Sequence, residues 1–276
     1  MTVFTKRPDR RFSTWAVITM AALAIGFAFP DSAAAGRLST ERSLSKTKHG
    51  YQIVKGHARA GKRSQRFEVR PGDCGRDPGW SDCDNNRERS EVKLKKNIRV
   101  GSEWWIGFSI YLPKDFQSSP RVKTSLGQIH QRGGPTGSAG GLPSFPPLLQ
   151  MDAIGNQWQA CVHVLSGSAS NVRDVCAHYN LASLNQMRGR WTDVEIHIRA
   201  TPGNPLLEVY VNGARKLQSN QFLRFVPKEF YVKYGIYRSF VSRHGGPMPT
   251  QVAFFDEVRM GKTRDSIAID GRKPVD

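Results

Sequence analysis

Tyr231-Val-Lys-Tyr-Gly-Ile-Tyr237 alternates along its length, so in an extended strand Tyr231, Lys233, Gly235 and Tyr237 share one face and Val232, Tyr234 and Ile236 the other. Two more segments repeat the pattern. Arg89-Ser-Glu-Val-Lys93 sets Arg89, Glu91 and Lys93 against Ser90 and Val92, and Gln128-Ile-His130 sets Gln128 and His130 against Ile129. Any one of these alone reads as an ordinary amphipathic strand, because antiparallel sheets commonly turn a polar face to water. Together they carry Arg, Gln, His, Lys and paired Tyr where solvated faces carry mostly Lys, Glu and Thr. That composition predicts a binding groove on the outer face of one sheet, with an apolar core behind it.

The same alternation predicts strands over Gln65–Arg70, Arg89–Lys95, Trp104–Leu112, Thr124–Gln131, Pro147–Ala153 and Trp158–Leu165. It continues over Asp174–Leu181, Trp191–Ala200, Leu206–Val211, Phe230–Ser239 and Val252–Met260. Helical periodicity is nearly absent, and Gly, Pro and Asn punctuate the runs, so the chain is expected to be an all-β sandwich or barrel. Asn212-Gly213 between Val209-Tyr-Val and Ala-Arg215 marks a hairpin turn with φ > 0 at both central residues. Two glycine- and proline-rich loops, residues 132–147 and 241–249, follow His130 and Tyr237 closely and read either as lids over the groove or as plain connections.

Lys6, Arg7, Arg10 and Arg11 precede an apolar run from Trp15 to Phe29, and Ala33-Ala-Ala35 supplies small residues for cleavage. Residues 1–35 therefore read as a secretory signal peptide cleaved after Ala35, placing the mature protein in the periplasm or outside the cell with no membrane attachment. Residues 36–50 read as a flexible basic lead-in and residues 51–276 as one domain. The full chain carries a net charge of +18, and losing the signal peptide leaves it strongly basic. An exported basic protein attracts polyanions, and export favours acidic polysaccharide over nucleic acid as the partner. A monomer is expected.

Four cysteines in an oxidising compartment predict two disulfides. Of the three connectivities, Cys74 with Cys83 and Cys161 with Cys176 is expected, each closing a short loop. Zinc is disfavoured because no C-x-x-C pair exists.

The groove residues suit one chemistry in particular. A uronic acid polymer is cut by β-elimination when a base removes the proton beside the carboxylate and an acid protonates the departing glycosidic oxygen. Hydrogen-bond donors must neutralise that carboxylate as negative charge builds next to it. Arg89 and Gln128 are such donors, neutral His130 can act as the base, and Tyr237 can protonate the leaving oxygen or serve as both acid and base. Cationic neighbours such as Arg89, Lys93 or Lys233 would favour the ionised phenol.

Arg-Glu-Arg89-Ser-Glu91, the Gln128-x-His130 pair and Tyr231-x-Lys-x-Gly-x-Tyr237 together resemble the signature strands of jelly-roll polysaccharide lyases, namely family seven alginate lyases. The wider heparin lyase I-like and glucuronan lyase-like group is similar as well. Trp104-Trp-Ile-Gly-Phe-Ser-Ile-Tyr-Leu-Pro113 and Phe255-Asp-Glu-Val-Arg-Met-Gly261 look more like that second group. The resemblance covers most of residues 51–262. It implies a two-sheet β-jelly-roll of the concanavalin A-like kind and a lyase needing no cofactor for catalysis.

It also implies catalytic roles for Arg89, Gln128, His130 and Tyr237. Substrate-binding roles follow for Lys93, Lys233, Tyr231, Arg238 and Glu91, the last by orienting Arg89 and Lys93 through ion pairs. Lys93 stands where alginate lyases usually have arginine and Arg238 where they usually have asparagine, which favours a glucuronate-containing substrate. Asp256, on the last strand, is a candidate ligand for a structural calcium of the kind seen in similar sandwiches, with an ordinary carboxylate as the competing reading. A non-catalytic module that merely holds acidic polysaccharide is the main alternative. Hydrolysis by paired carboxylates would need two acids facing the groove, and only Asp193 with Glu195 comes close.

Overall fold

The computed structural model describes residues 1–3, 38–44, 46–133 and 145–275. The expected signal peptide falls almost wholly outside these residues, as does most of the glycine-rich loop after His130. The strands are β1 (Thr40–Ser43), β2 (Tyr51–Lys55), β3 (Arg63–Val69), the two-residue β4 (Arg76–Asp77) and β5 (Trp80–Ser81), β6 (Arg87–Leu94), β7 (Ile98–Arg99), β8 (Glu103–Tyr111) and β9 (Lys123–Arg132). They continue with β10 (Leu149–Ile154), β11 (Gln157–Ser168), β12 (Asn171–Ser183), β13 (Trp191–Arg199), β14 (Leu206–Val211), β15 (Ala214–Ser219), β16 (Glu229–Ser239) and β17 (Gln251–Gly261). One short helix, α1 (Leu184–Met187), follows β12 and is closed by a Ser183–Gln186 capping box.

One sheet orders β1-β6-β16-β9-β10-β11-β12, with β7 beside β16, and the other orders β15-β14-β13-β8-β17-β3-β2. Neighbours are antiparallel and often distant in sequence, as with β6 beside β16 and β8 beside β17. Two antiparallel sheets wired by such crossovers form the β-jelly-roll sandwich. Every strand expected from alternation is present, most with ends within two residues of expectation, because the period-2 pattern is a local property of each segment. Between the sheets, Val92 and Leu94 of β6 and Val232, Tyr234 and Ile236 of β16 are buried together with Ile106, Phe108 and Ile110 of β8. Burying this inner face leaves the opposite parity of β6, β16 and β9 pointing outward.

Part of the basic lead-in is ordered. Thr40–Ser43 pairs with β6 from Thr40 opposite Leu94 to Ser43 opposite Glu91, so the groove sheet gains an edge strand that the polar sequence did not announce. Both expected disulfides are formed. Cys74–Cys83 closes the loop holding β4 and β5, and Cys161–Cys176 ties β11 to β12. In the hairpin between β14 and β15, Asn212 and Gly213 have φ values of 48° and 78°, as the turn requires.

Gly235 is the position where a glycine is obligatory. Its φ is +127°, and a Cβ there would collide with the Ser90 carbonyl oxygen and lie 2.9 Å from Glu91 Cα, both backbone atoms of β6. Gly213, with φ +78°, has open space around it. Gly235→Ala should therefore cost more than ~2 kcal/mol of stability and Gly213→Ala about 1 kcal/mol. Urea unfolding of the two variants checks this, and equal midpoints would contradict it.

Candidate active site

Backbone register brings the three polar segments together. β16 lies between β6 and β9, so Lys233 stands opposite Lys93 on one side and Gln128 on the other. Tyr237 stands opposite Arg89 and Ser125, and Tyr231 opposite His130. Of these, Arg89, Gln128, His130, Tyr231, Lys233 and Tyr237 line a cleft of about 900 Å³, joined there by Arg87. Phe145 and Pro147 reach it from one loop and Arg243 from the other.

A buried carboxylate organises the floor of the cleft. Glu91, 2 % exposed, accepts Gln128 Nε2 at 2.7 Å on one oxygen and both Lys233 Nζ and Arg89 Nη1 at 3.1 Å on the other. Burial would push this carboxyl upward, but the Lys233 and Arg89 charges and the Gln128 amide outweigh it and hold it below its ordinary value. Lys233 is shifted downward because burial disfavours its charge more than Glu91 favours it. Arg89 is further clamped by Asp82, which accepts Nη2 at 2.6 Å as well as Nε. The Gln128 amide, the Lys233 ammonium and the Arg89 guanidinium each own more N–H hydrogens than these bonds use, so each keeps a donor for a bound anion.

Tyr237 is held by two arginines. The Arg89 guanidinium lies over its ring at 4.3 Å, and Arg87 Nε donates to its hydroxyl at 3.0 Å. Arg87 is itself stacked on Phe240 at 3.7 Å, and Asn86 pins the following turn through Ser242 with bonds of 2.6 and 3.0 Å. Lys233 is bonded to Glu91, and Lys93 is paired with Glu41 of β1, so arginines supply the cations that contact the phenol.

His130 stacks on Tyr231 with ring centroids 5.1 Å apart and planes at 12°. Its Nδ1 lies 3.0 Å from the Gln131 carbonyl oxygen and 2.9 Å from the Gln131 backbone nitrogen. Nδ1 accepts from the Gln131 N–H in one neutral tautomer and donates to the Gln131 carbonyl in the other, and the second tautomer leaves the lone pair on Nε2. Burial lowers the imidazole to about 4, with the Gln131 carbonyl opposing the shift, so the ring is neutral across the ordinary working range. Burial also raises the neighbouring Tyr231 phenol to about 12.

Other expected positions lie elsewhere. Glu91 pairs with Arg89 and Lys233 rather than with Lys93. Arg238 is fully buried on the opposite face, paired with Glu88 at 2.7 Å and donating to the Pro249 carbonyl at 2.5 Å, so it cannot meet substrate in the groove. Asp256 belongs to the other sheet. Its carboxylate accepts backbone N–H groups from Arg59 at 2.6 Å, Ala60 at 3.3 Å and Glu257 at 2.8 Å, and the Arg59 guanidinium binds Asp193 next to it. With those oxygens engaged and an arginine as the local cation, the residues do not fit a calcium ion. No group of three or more His, Cys, Asp or Glu side chains suited to a metal occurs among the described residues. His197 and Trp105 stack at 4.2 Å in the sheet opposite the groove.

Asp82, Arg87, Lys123, Ser125 and Asp152 were not singled out from the sequence. Arg87 shares the parity of Arg89, which was an available signal. Lys123 and Ser125 have the opposite parity to Gln128, and a register shift near Gly127 brings them to the same face.

A family model described as polysaccharide lyase matches residues 31–259, and the chain belongs to that family. Among solved structures, it is similar to an endo-β-1,4-glucuronan lyase from the fungus Trichoderma reesei, with a TM-score of 0.63 and 19 % identity over 85 % of this chain and 96 % of that one. It is also similar to alginate lyase A1-II', of polysaccharide lyase family 7, with a TM-score of 0.53 and 17 % identity over 79 % of this chain and 85 % of that one. No curated protein sequence matches the chain.

The lowered His130 value makes a prediction for stability. Between about 6.5 and about 4 the unfolded chain takes up a proton that the folded ring refuses, so stability is full above that window and falls as pH drops through it. At the acid end the loss should reach roughly 2–3 kcal/mol, and His130→Asn should remove it. Unfolding free energies of both proteins at pH 7 and pH 4.5 test this, and parallel losses would refute it.

Proposed function

We propose that this protein is an exported lyase that cleaves a uronate-containing polysaccharide, of glucuronan or alginate type, by β-elimination. The observation that carries the reading is the convergence of Arg89, Gln128 and Lys233 on Glu91, beside a neutral histidine and an arginine-held tyrosine. The remaining N–H groups of those three residues take the substrate carboxylate and stabilise the charge that forms when the adjacent proton leaves. His130 Nε2 removes that proton. The freed electron pair forms the ring double bond as the glycosidic C–O bond breaks, and Tyr237 delivers a proton to the departing oxygen. Arg87 fixes the phenol oxygen by donating to it from Nε.

A glucuronate polymer is the first choice of substrate. Lys93 in place of the arginine usual in alginate lyases supports it, and so does the overall likeness to the fungal glucuronan lyase. The two disulfides suit an oxidising compartment, and no helix of the described residues is long and apolar enough to cross a membrane.

The decisive experiment follows ultraviolet absorbance of unsaturated uronate while the purified protein meets glucuronan, alginate, heparin-type glycans, hyaluronan and pectate. Absorbance should rise on a glucuronate polymer, and Tyr237→Phe should slow the rise by ~10²-fold or more. No rise on any polymer, with salt-sensitive binding intact, would assign the groove to binding alone. Arg87→Ala should lower kcat by about tenfold or more with little change in KM, because it acts on Tyr237 rather than on ground-state binding. A change confined to KM would remove that role.

A further inference from the structure

The cleft is cationic on most sides, with Arg87, Arg121, Lys123, Lys233 and Arg243 among its lining. Asp152 of β10 faces the same space and is 1 % exposed. It shares a register row with the reacting groups, since Tyr237 stands opposite Ser125 and Ser125 opposite Asp152. That row places it two strands from Tyr237, about 10 Å away at ~4.8 Å per strand.

One oxygen of this carboxylate is satisfied and the other is not. Ser125 Oγ donates to Oδ1 at 2.5 Å, whereas Oδ2 has no hydrogen-bond partner among the described residues and Lys123 Nζ stands off at 3.8 Å. A buried acceptor without a partner, on a side chain that lines a cleft, gains from a donor brought by whatever occupies the cleft. A second carboxylate would meet like charge and bring no donor. A cationic sugar would meet Lys123, Arg121 and Arg243. A neutral hydroxyl brings the missing donor with neither penalty.

We propose that Asp152 forms a subsite that accepts a free ring hydroxyl from the sugar adjacent to the reacting uronate, and so selects polymer whose hydroxyls are unesterified. The identity of that sugar as a neighbour of the cleaved bond rests on the proposed lyase reading. The carboxylate's need for a donor does not.

The test compares binding of de-O-acetylated and fully O-acetylated polyglucuronate by affinity electrophoresis, using Tyr237→Phe to suppress cleavage. This protein should prefer the de-O-acetylated polymer by ~10-fold, the usual worth of a hydrogen bond to a buried acceptor. Adding Asp152→Ala should abolish the preference while leaving affinity for the acetylated polymer unchanged. Adding Asp152→Asn, which keeps the side-chain volume if the alanine variant fails to fold, should remove most of the preference. A preference that survives either change, equal losses on both polymers, or no binding of either polymer would overturn the subsite. If the wild type yields no unsaturated product from any polymer, the lyase reading falls, and the acetyl preference still decides the role of Asp152.

Discussion

Glu91 is a carboxylate taken out of water and surrounded by Arg89, Lys233 and Gln128, and the groove depends on that arrangement. A buried anion is tolerable only when its partners are close and correctly oriented, and the same requirement fixes where those partners point. Three donors on three adjacent strands are thereby held in one geometry before any ligand arrives. Such preorganisation is what makes hydrogen-bond donors effective against charge that develops during a reaction, because they need not reorient as it forms. Asp82 adds a second anchor on Arg89, delivered by the loop that the Cys74–Cys83 disulfide closes. The disulfide thus bears on the site through one guanidinium.

Backbone geometry sets the rest. Gly235 lets β16 press against β6 where a side chain would strike the backbone, which keeps Lys233 and Tyr237 in register with Lys93 and Arg89. On the other flank, the shift in β9 near Gly127 switches which parity faces the cleft, turning Lys123 and Ser125 outward alongside Gln128 and His130. The groove is consequently longer and chemically more varied than strict alternation allows. It gains a serine and a buried aspartate beside the basic residues.

Arg238 illustrates where a family resemblance and elementary geometry part. It follows Tyr237 directly, so alternation alone sends it to the core side of β16, where it is buried against Glu88 and the Pro249 carbonyl. Likeness of motif had placed it with the substrate-binding residues. Asp256 is a parallel case, since a carboxylate on the last strand is equally suited to a cation and to capping backbone N–H groups, and the approach of the Arg59 loop decides for the latter.

The sequence by itself determined the alternating strands, the all-β class, the presence of two disulfides and the residue types of the groove. Each of these depends on period-2 alternation, turn chemistry or short loop closure, all of which act over a few residues. Only the tertiary structure decided that β16 lies between β6 and β9 and that Arg87 holds the hydroxyl of a tyrosine 150 positions away. It likewise decided that Glu91 gathers Lys233 rather than Lys93, and that Asp152 joins the row of Tyr237. Strand order, register shifts and pairings between distant segments are fixed by packing two whole sheets against each other, and no local pattern encodes them.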